Sequence, residues 1–214
     1  MSLFAKRRGP EGTGAPLRLH LGCGQSPIEG WVNVDVQALP GVDRVLDVRQ
    51  GLPFTNVASI FAEHFLEHLD VADGLACLAE CRRVLAPDGV LRISTPNLDW
   101  VMATHYRLGQ WPRDEDAVSD CFQTNRAFHG WGHRFLYNRP ALVAALRAAG
   151  FGEISFHRYG ESDRAELAEL ERHEKSADSP ELPHVLIAQA AGRGPAGAFP
   201  GNLLEEYRQA LEAR

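Results

Sequence analysis

The feature that most constrains this chain is a short alternating run that stops at glycines. Leu17-Arg18-Leu19-His20-Leu21 sets apolar residues at every second position, the period of a half-buried strand, and ends on Gly22-Cys23-Gly24. Comparable runs follow at Trp31–Asp35, Arg44–Val48, Ala58–Ala62, Val90–Ser94, Phe151–His157 and His184–Ala190. Between them, Ala72–Ala86 has helical periodicity and meets the turn Pro87-Asp88-Gly89. Pro140 opens a second helix, Ala141–Ala149, which Gly150 closes. Strands interleaved with helices predict an α/β fold: a Rossmann-like, seven-stranded, mainly parallel sheet with helices on both faces. In such sheets a ligand sits beyond the carboxyl ends of the strands.

With 214 residues the chain suits one domain, and 44% hydrophobic residues suffice for a sizeable core. The net charge of -6 excludes a domain-wide basic footprint, so nucleic acid is not the expected partner. No apolar run reaches the ~18 residues of a membrane span, and the start, Met1 to Arg8, lacks the apolar stretch of a secretory signal. Cysteines stand at 23, 77, 81 and 121 without a Cys-x-x-Cys pair, which fits free thiols in a reducing cytoplasm. The expected layout is an arm over 1–16, a domain over 17–190, a linker over 191–201 and a helix over 202–214. Leu203, Leu204, Tyr207 and Leu211 give that last helix an apolar stripe for docking on the domain or on a second copy of the chain.

The glycine turn at 22–24 permits close backbone approach to a ligand. Asp35 closes the next strand, where a carboxylate accepts both hydroxyls of a ribose. Asp47 ends the third, within reach of an adenine amino group. A dinucleotide fingerprint would need a third glycine, but the turn continues Gln25-Ser26-Pro27, and no phosphate loop of the G-x-x-x-x-G-K-[ST] type occurs. A nucleoside cofactor without a pyrophosphate is the reading that remains.

In this pattern the chain resembles the class I S-adenosylmethionine-dependent methyltransferases. The resemblance rests on Leu19-His20-Leu21-Gly22-Cys23-Gly24, Trp31–Asp35, Leu52-Pro53-Phe54, Phe65-Leu66-Glu67-His68-Leu69, Arg83–Gly89 and Ala148-Ala149-Gly150-Phe151, in family order. It implies S-adenosylmethionine as cofactor and an antiparallel last strand. It also places Gly22 and Gly24 at the methionine part, Asp35 at the ribose and Asp47 near the adenine. The expected cofactor-binding set is Gly22, Cys23, Gly24, Asp35, Asp47, Val48 and Glu63. One departure stands out. Only residues 22–30 separate the first two strands, whereas a parallel crossover usually takes a dozen or more with a helix. The turn then lacks a helix N-terminus to hold a carboxylate, and loop amides or a nearby cation must substitute.

A second constellation follows the fourth strand. His64, Glu67 and His68 stand at i, i+3, i+4, one face of any helix they share. They match H-x-x-E-H, a zinc-hydrolase pattern that needs a continuous helix and a third ligand. Some ubiquinone-pathway and small-RNA methyltransferases are similar here. They carry Glu-x-x-Glu-His and a later histidine, and bind a divalent cation; His133 resembles that later histidine. Replacing the first Glu by His64 favours a softer ion or none. The expectation is a metal-free site, with a divalent cation as the alternative. A neutral imidazole at the mouth serves as general base, and His64 and His133 are the candidates.

Residues 109–139 form a long substrate-facing insertion rich in Trp, Phe and His, expected to be largely irregular. Its Gly130 and Gly132 disfavour a helix joining His129 to His133. Acids crowd 161–181, and Asp163–Glu174 is expected to be a solvated helix. The sum is a small-molecule methyltransferase, with oxygen of a sugar or glycan hydroxyl as the expected acceptor. A cofactor-binding module without catalysis and an H-x-x-E-H hydrolase are the alternatives.

Overall fold

The computed structural model describes residues 16–172, 179, 181–195, 197 and 199–213. All but the last residue of the expected arm lies outside them. β1 (Leu17–Leu21) sits inside a seven-stranded sheet with β2 (Val32–Asp35), β3 (Arg44–Val45), β4 (Val57–Glu63), β5 (Leu85–Pro96), β6 (Phe151–His157) and β7 (Val185–Arg193). The spatial order is β3-β2-β1-β4-β5-β7-β6. β1 pairs in parallel with β2 and β4, as do β2 with β3 and β4 with β5. β7 runs antiparallel to β5 and β6, so the antiparallel last strand is as expected. The chain leaves β1 toward β2 and β3, then returns to β4 on the other side. The order reverses between β1 and β4, and in sheets of this kind the ligand crevice lies beyond the carboxyl ends of the strands at that point.

The sheet's two faces are covered in different ways. Leu19, Leu21, Val32, Val34, Ile60, Ala62, Leu91 and Ile93 form one face. It packs on α1 (Val71–Val84) through Cys77, Leu78 and Cys81, and on α4 (Arg139–Ala148) through Leu142, Ala145 and Leu146. The alternate positions include His20, Asn33, Ser59, Arg92 and Gln189, all buried. The β6–β7 connection covers this second face. Leu167 and Leu170 pack with Trp31, Phe61 and Val90. Arg92 Nε donates to Glu171 Oε1 at 2.6 Å and its Nη1 to Gln189 Oε1 at 2.8 Å. Of the helix expected over Asp163–Glu174, residues 173 and 174 lie outside the described residues, and 163–172 form instead a single 3₁₀ turn, Ala165–Leu167, in irregular chain. A buried guanidinium requires polar partners. An irregular segment turns Glu171, Ser162 and the Gly160 amide inward together, which a helix with a solvated face does not.

The crossover from β1 to β2 has no helix over residues 22–31. The buried Asn33 side chain organises this loop instead. It accepts from the Ile28 amide at 2.7 Å and donates to the Ile28 and Trp31 carbonyls. The third strand is shorter than the sequence suggests. It ends at Val45, because Asp47 caps a 3₁₀ turn, Val48–Gln50.

The insertion is more regular than expected. It holds α3 (Asp114–His129), which packs with α2 (Leu98–His105). Acids in its first turn and Arg126 and His129 in its last complement the helix dipole, and Gly130 ends it. The buried Asp120 accepts from the Arg107 amide at 2.9 Å and from Trp111 Nε1 at 2.8 Å, which ties the helix to the preceding loop. β7 runs to Arg193, into the stretch expected as linker. α5 (Gly201–Glu212) touches the domain where Tyr207 Oη donates to the Arg134 carbonyl at 3.2 Å. Leu203 and Leu211 on this helix are exposed.

Candidate functional site

At the end of β1 the chain turns through Gly22 at φ 65° and Gly24 at φ 52°. A side chain is disfavoured at Gly22 twice over: by this left-handed backbone, and by the Phe65 ring, whose Cδ2 would lie 2.4 Å from an added Cβ. The turn is fastened to β2. The Cys23 amide donates to the Val34 carbonyl at 3.1 Å, and the Gly24 amide to Asp35 Oδ2 at 2.8 Å. The other Asp35 oxygen accepts from the Gln37 amide at 2.9 Å. Both oxygens are thus oriented, and each carboxylate oxygen retains a second acceptor site for a ribose hydroxyl. Asp35 is half-buried at the carboxyl end of β2.

The remaining expected cofactor residues are distributed less evenly. Asp47 pairs with Arg49, whose Nη2 donates to Oδ2 at 2.7 Å, and this holds its carboxyl below the usual carboxylate range. Val48 is buried in the main core, where its side chain packs. The Cys23 thiol is buried and pushed up to about 11 by that burial. Glu63, the last residue of β4, accepts from the Arg172 amide at 2.7 Å.

The histidine segment begins immediately after β4. His64 continues the ladder by donating its amide to the Ser94 carbonyl, but with φ 45°. Such a conformation costs of order 1–3 kcal/mol in a residue with a side chain and persists where the surroundings enforce it. Leu66–His68 is a 3₁₀ turn, and α1 starts only at Val71 with Asp70 as its cap. His64, Glu67 and His68 therefore share no helical face, and the continuous helix of an H-x-x-E-H hydrolase is absent. Glu67 and His68 do not cap α1 either.

Tertiary contacts bring three groups together nonetheless. Side-chain ligand atoms of Glu67, His68 and His133 all lie within 4.8 Å of one another. Glu67 is fully buried. Its Oε2 accepts from Thr95 Oγ1 at 3.0 Å, and its Oε1 lies 3.1 Å from His64 Nδ1. Its own carbonyl accepts from the amides of Arg134 and Phe135, which draws the segment carrying His133 alongside. His133 Nδ1 lies 2.8 Å from the Ala127 carbonyl. A carbonyl only accepts, so Nδ1 carries a proton, and in the neutral imidazole Nε2 is the atom that presents a lone pair. His64 thus stands behind Glu67, whereas His133 joins the cluster with an available basic nitrogen. The exposed Trp131 lies over His133, ring centroids 5.7 Å apart. Phe65 links this cluster to the glycine turn, since it follows His64 and covers Gly22.

Sequence reasoning missed Thr95, which orients Glu67, and Arg172, which reaches the glycine loop. Thr95 stands two residues beyond Ile93 at the end of β5, the crevice side, and that position was a usable signal. Nothing local marks Arg172, because its partners lie more than 100 residues away.

No protein-family model matches the chain, and no curated protein matches it by sequence. Solved structures do match. A methyltransferase of Thermotoga maritima, described as a possible histamine N-methyltransferase, is similar over 84% of this chain and 83% of its own, with TM-score 0.56 and 14% identity. The 1,6-didemethyltoxoflavin-N1-methyltransferase of Burkholderia thailandensis, bound to its substrate and S-adenosylhomocysteine, is similar over 87% of this chain and 75% of its own (TM-score 0.51, 16% identity). The CMeT domain of the citrinin polyketide synthase matches 86% of this chain with TM-score 0.51 and 16% identity, but this chain spans only 48% of that one. The fold is therefore the Rossmann-like fold of the class I S-adenosylmethionine-dependent methyltransferases. Its strand order and antiparallel β7 are those of a methyltransferase-type sheet, here with a helix-free first crossover.

Proposed function

We propose that the chain is an S-adenosylmethionine-dependent methyltransferase acting on a small molecule, with a sugar or glycan-related hydroxyl as the acceptor. The observation that carries this reading is Asp35: a carboxylate at the β2 end, held by the Gly24 and Gln37 amides beside the glycine turn. The residues present fit the cofactor. Gly24 has open space where a side chain would stand and leaves room for a close backbone approach, Gly22 makes the left-handed turn beneath Phe65, and Asp35 accepts ribose hydroxyls. S-adenosylmethionine supplies an electrophilic methyl group. The chain aligns the acceptor and removes its proton. His133 Nε2 takes the hydroxyl proton, Ala127 fixes the tautomer, and Trp131 offers a face for the acceptor to stack on. His64 acts through Glu67, holding the carboxylate beside His68 and His133.

A second reading rests on the same three groups. Ligand atoms around one ion at 2.0–2.2 Å stand at most about 4.4 Å apart. Glu67, His68 and His133 therefore fit a divalent cation after closing by a few tenths of an ångström. One set of measurements separates the readings. If His133 is the base, methyl transfer to hydroxylated acceptors survives chelation and falls by roughly 10²–10⁴ in His133→Ala with S-adenosylhomocysteine affinity unchanged. If an ion is held, chelation abolishes transfer, cobalt restores it, and His133→Ala loses cobalt binding. Full turnover by His133→Ala in the presence of chelator sinks both. Cofactor binding without transfer to any acceptor leaves a binding module.

A further inference from the structure

The glycine bend faces a chemical difficulty that the fold does not solve in the usual way. With no helix between β1 and β2, the bend lacks the N-terminus that a first-crossover helix would present, and a carboxylate there loses the dipole that would attract it. Its surroundings are also acidic. Asp35 accepts from the Gly24 amide, Asp43 from the amide of Asn33, whose side chain organises the same loop, and Glu63 ends β4, the strand beside β1. A zwitterionic amino acid group has its carboxylate repelled by this ring unless a cation stands within it.

One cation does. Arg172 arrives from the β6–β7 connection that covers the polar face of the sheet, the face a first-crossover helix would have occupied. Its amide is anchored on Glu63 Oε1 at 2.7 Å, and its Nη1 donates to the Ser26 carbonyl, in the bend itself. The guanidinium is thus pinned between the end of β4 and the glycine loop, yet the residue is exposed. The Ser26 bond occupies one of five N–H donors, and the planar fork matches a carboxylate in two-point geometry. Glu171, one residue earlier, is fixed by the fully buried Arg92, so the segment is held in place from beneath.

We propose that Arg172 binds the carboxylate of the cofactor's methionine part, taking the place of the missing helix N-terminus. This rests on the methyl-transfer reading and adds to it a specificity: the site discriminates an adenosyl amino acid from the same thioether without it. The test uses the full chain, calorimetry, and two probes. S-adenosylhomocysteine carries the carboxylate, and 5′-methylthioadenosine lacks the amino acid group. Arg172→Ala is expected to weaken S-adenosylhomocysteine by roughly 10- to 100-fold and leave 5′-methylthioadenosine unchanged. Arg172→Lys, a point charge without the fork, is expected to recover part of the loss. An unchanged S-adenosylhomocysteine affinity in Arg172→Ala overturns the assignment while the methyl-transfer reading stands. An equal loss for both probes also overturns it, since that reports collapse of the loop. If the wild-type chain binds neither probe, the methyl-transfer reading itself fails and this assignment with it.

Discussion

Replacing Gly22 by Ala tests whether the bend after β1 requires a glycine beneath the Phe65 ring. The added Cβ faces two separate costs. At φ 65° an L-residue loses about 1–2 kcal/mol. The methyl group would also stand 2.4 Å from Phe65 Cδ2 and 3.1 Å from its Cγ, so the ring must move. Overpacking of this kind costs about 1–3 kcal/mol. Together they amount to about 2–5 kcal/mol, or roughly 4–20 °C in Tm for a chain of this size. The two parts separate in a double-mutant cycle with Phe65→Ala, which removes the ring and leaves the backbone conformation. In that background Gly22→Ala should cost only about 1–2 kcal/mol, a coupling of about 1–3 kcal/mol. Urea unfolding gives the energies, and calorimetry with S-adenosylhomocysteine gives the effect on binding. An equal cost in both backgrounds refutes the steric argument. A cost below about 0.5 kcal/mol in the wild-type background refutes the conformational one as well.

Two further outcomes follow from the polar face of the sheet. Burial lowers the His20 imidazole from 6.5 to about 4, so between those values the unfolded chain binds a proton that the folded chain does not. Stability therefore falls as pH drops through this window, by about 2 kcal/mol between pH 7 and 5 from this group. His20→Gln, which keeps a donor for Asn33, should flatten the dependence by that amount in urea titrations; a parallel curve would show the imidazole titrates freely. Glu171→Ala strands the fully buried Arg92 and should cost about 3–5 kcal/mol in the same assay, whereas Arg92→Met with Glu171→Leu should recover most of it. A single-variant loss under about 1 kcal/mol would mean the pair does not hold the covering segment.

The strands were legible because their information is local. Leu19-His20-Leu21, Val32-Asn33-Val34 and Leu91-Arg92-Ile93 alternate with the pleat, and the glycines after β1 and the acid that ends β2 mark the carboxyl edge of the sheet without any tertiary knowledge. The same alternation held a second message. A parallel sheet sandwiched by apolar helices reads as continuous hydrophobic runs, so His20, Asn33, Arg92 and Gln189 already signalled that one face needed a polar cover.

What covers that face was not legible, because the partners of Arg92 and Glu63 lie 79 and 109 residues away and no local periodicity encodes such pairings. At Asp47 the sequence misjudged only the extent of the strand: β3 ends at Val45, and Asp47 beyond it binds Arg49 two residues on, a local capping bond that ended the strand early. The histidines divide in the same way. Their spacing placed His64, Glu67 and His68 on one imagined helix. The chain breaks there instead, and Glu67 meets His133 only because its carbonyl captures the Arg134 and Phe135 amides. Sequence alone determined the sheet, its order of elements and the glycine–aspartate cradle, since propensity and periodicity act over a few residues. Which imidazole keeps an available lone pair, and which arginine stands at the bend, were decided by folding, since buried polar groups pair with whatever the topology brings within reach.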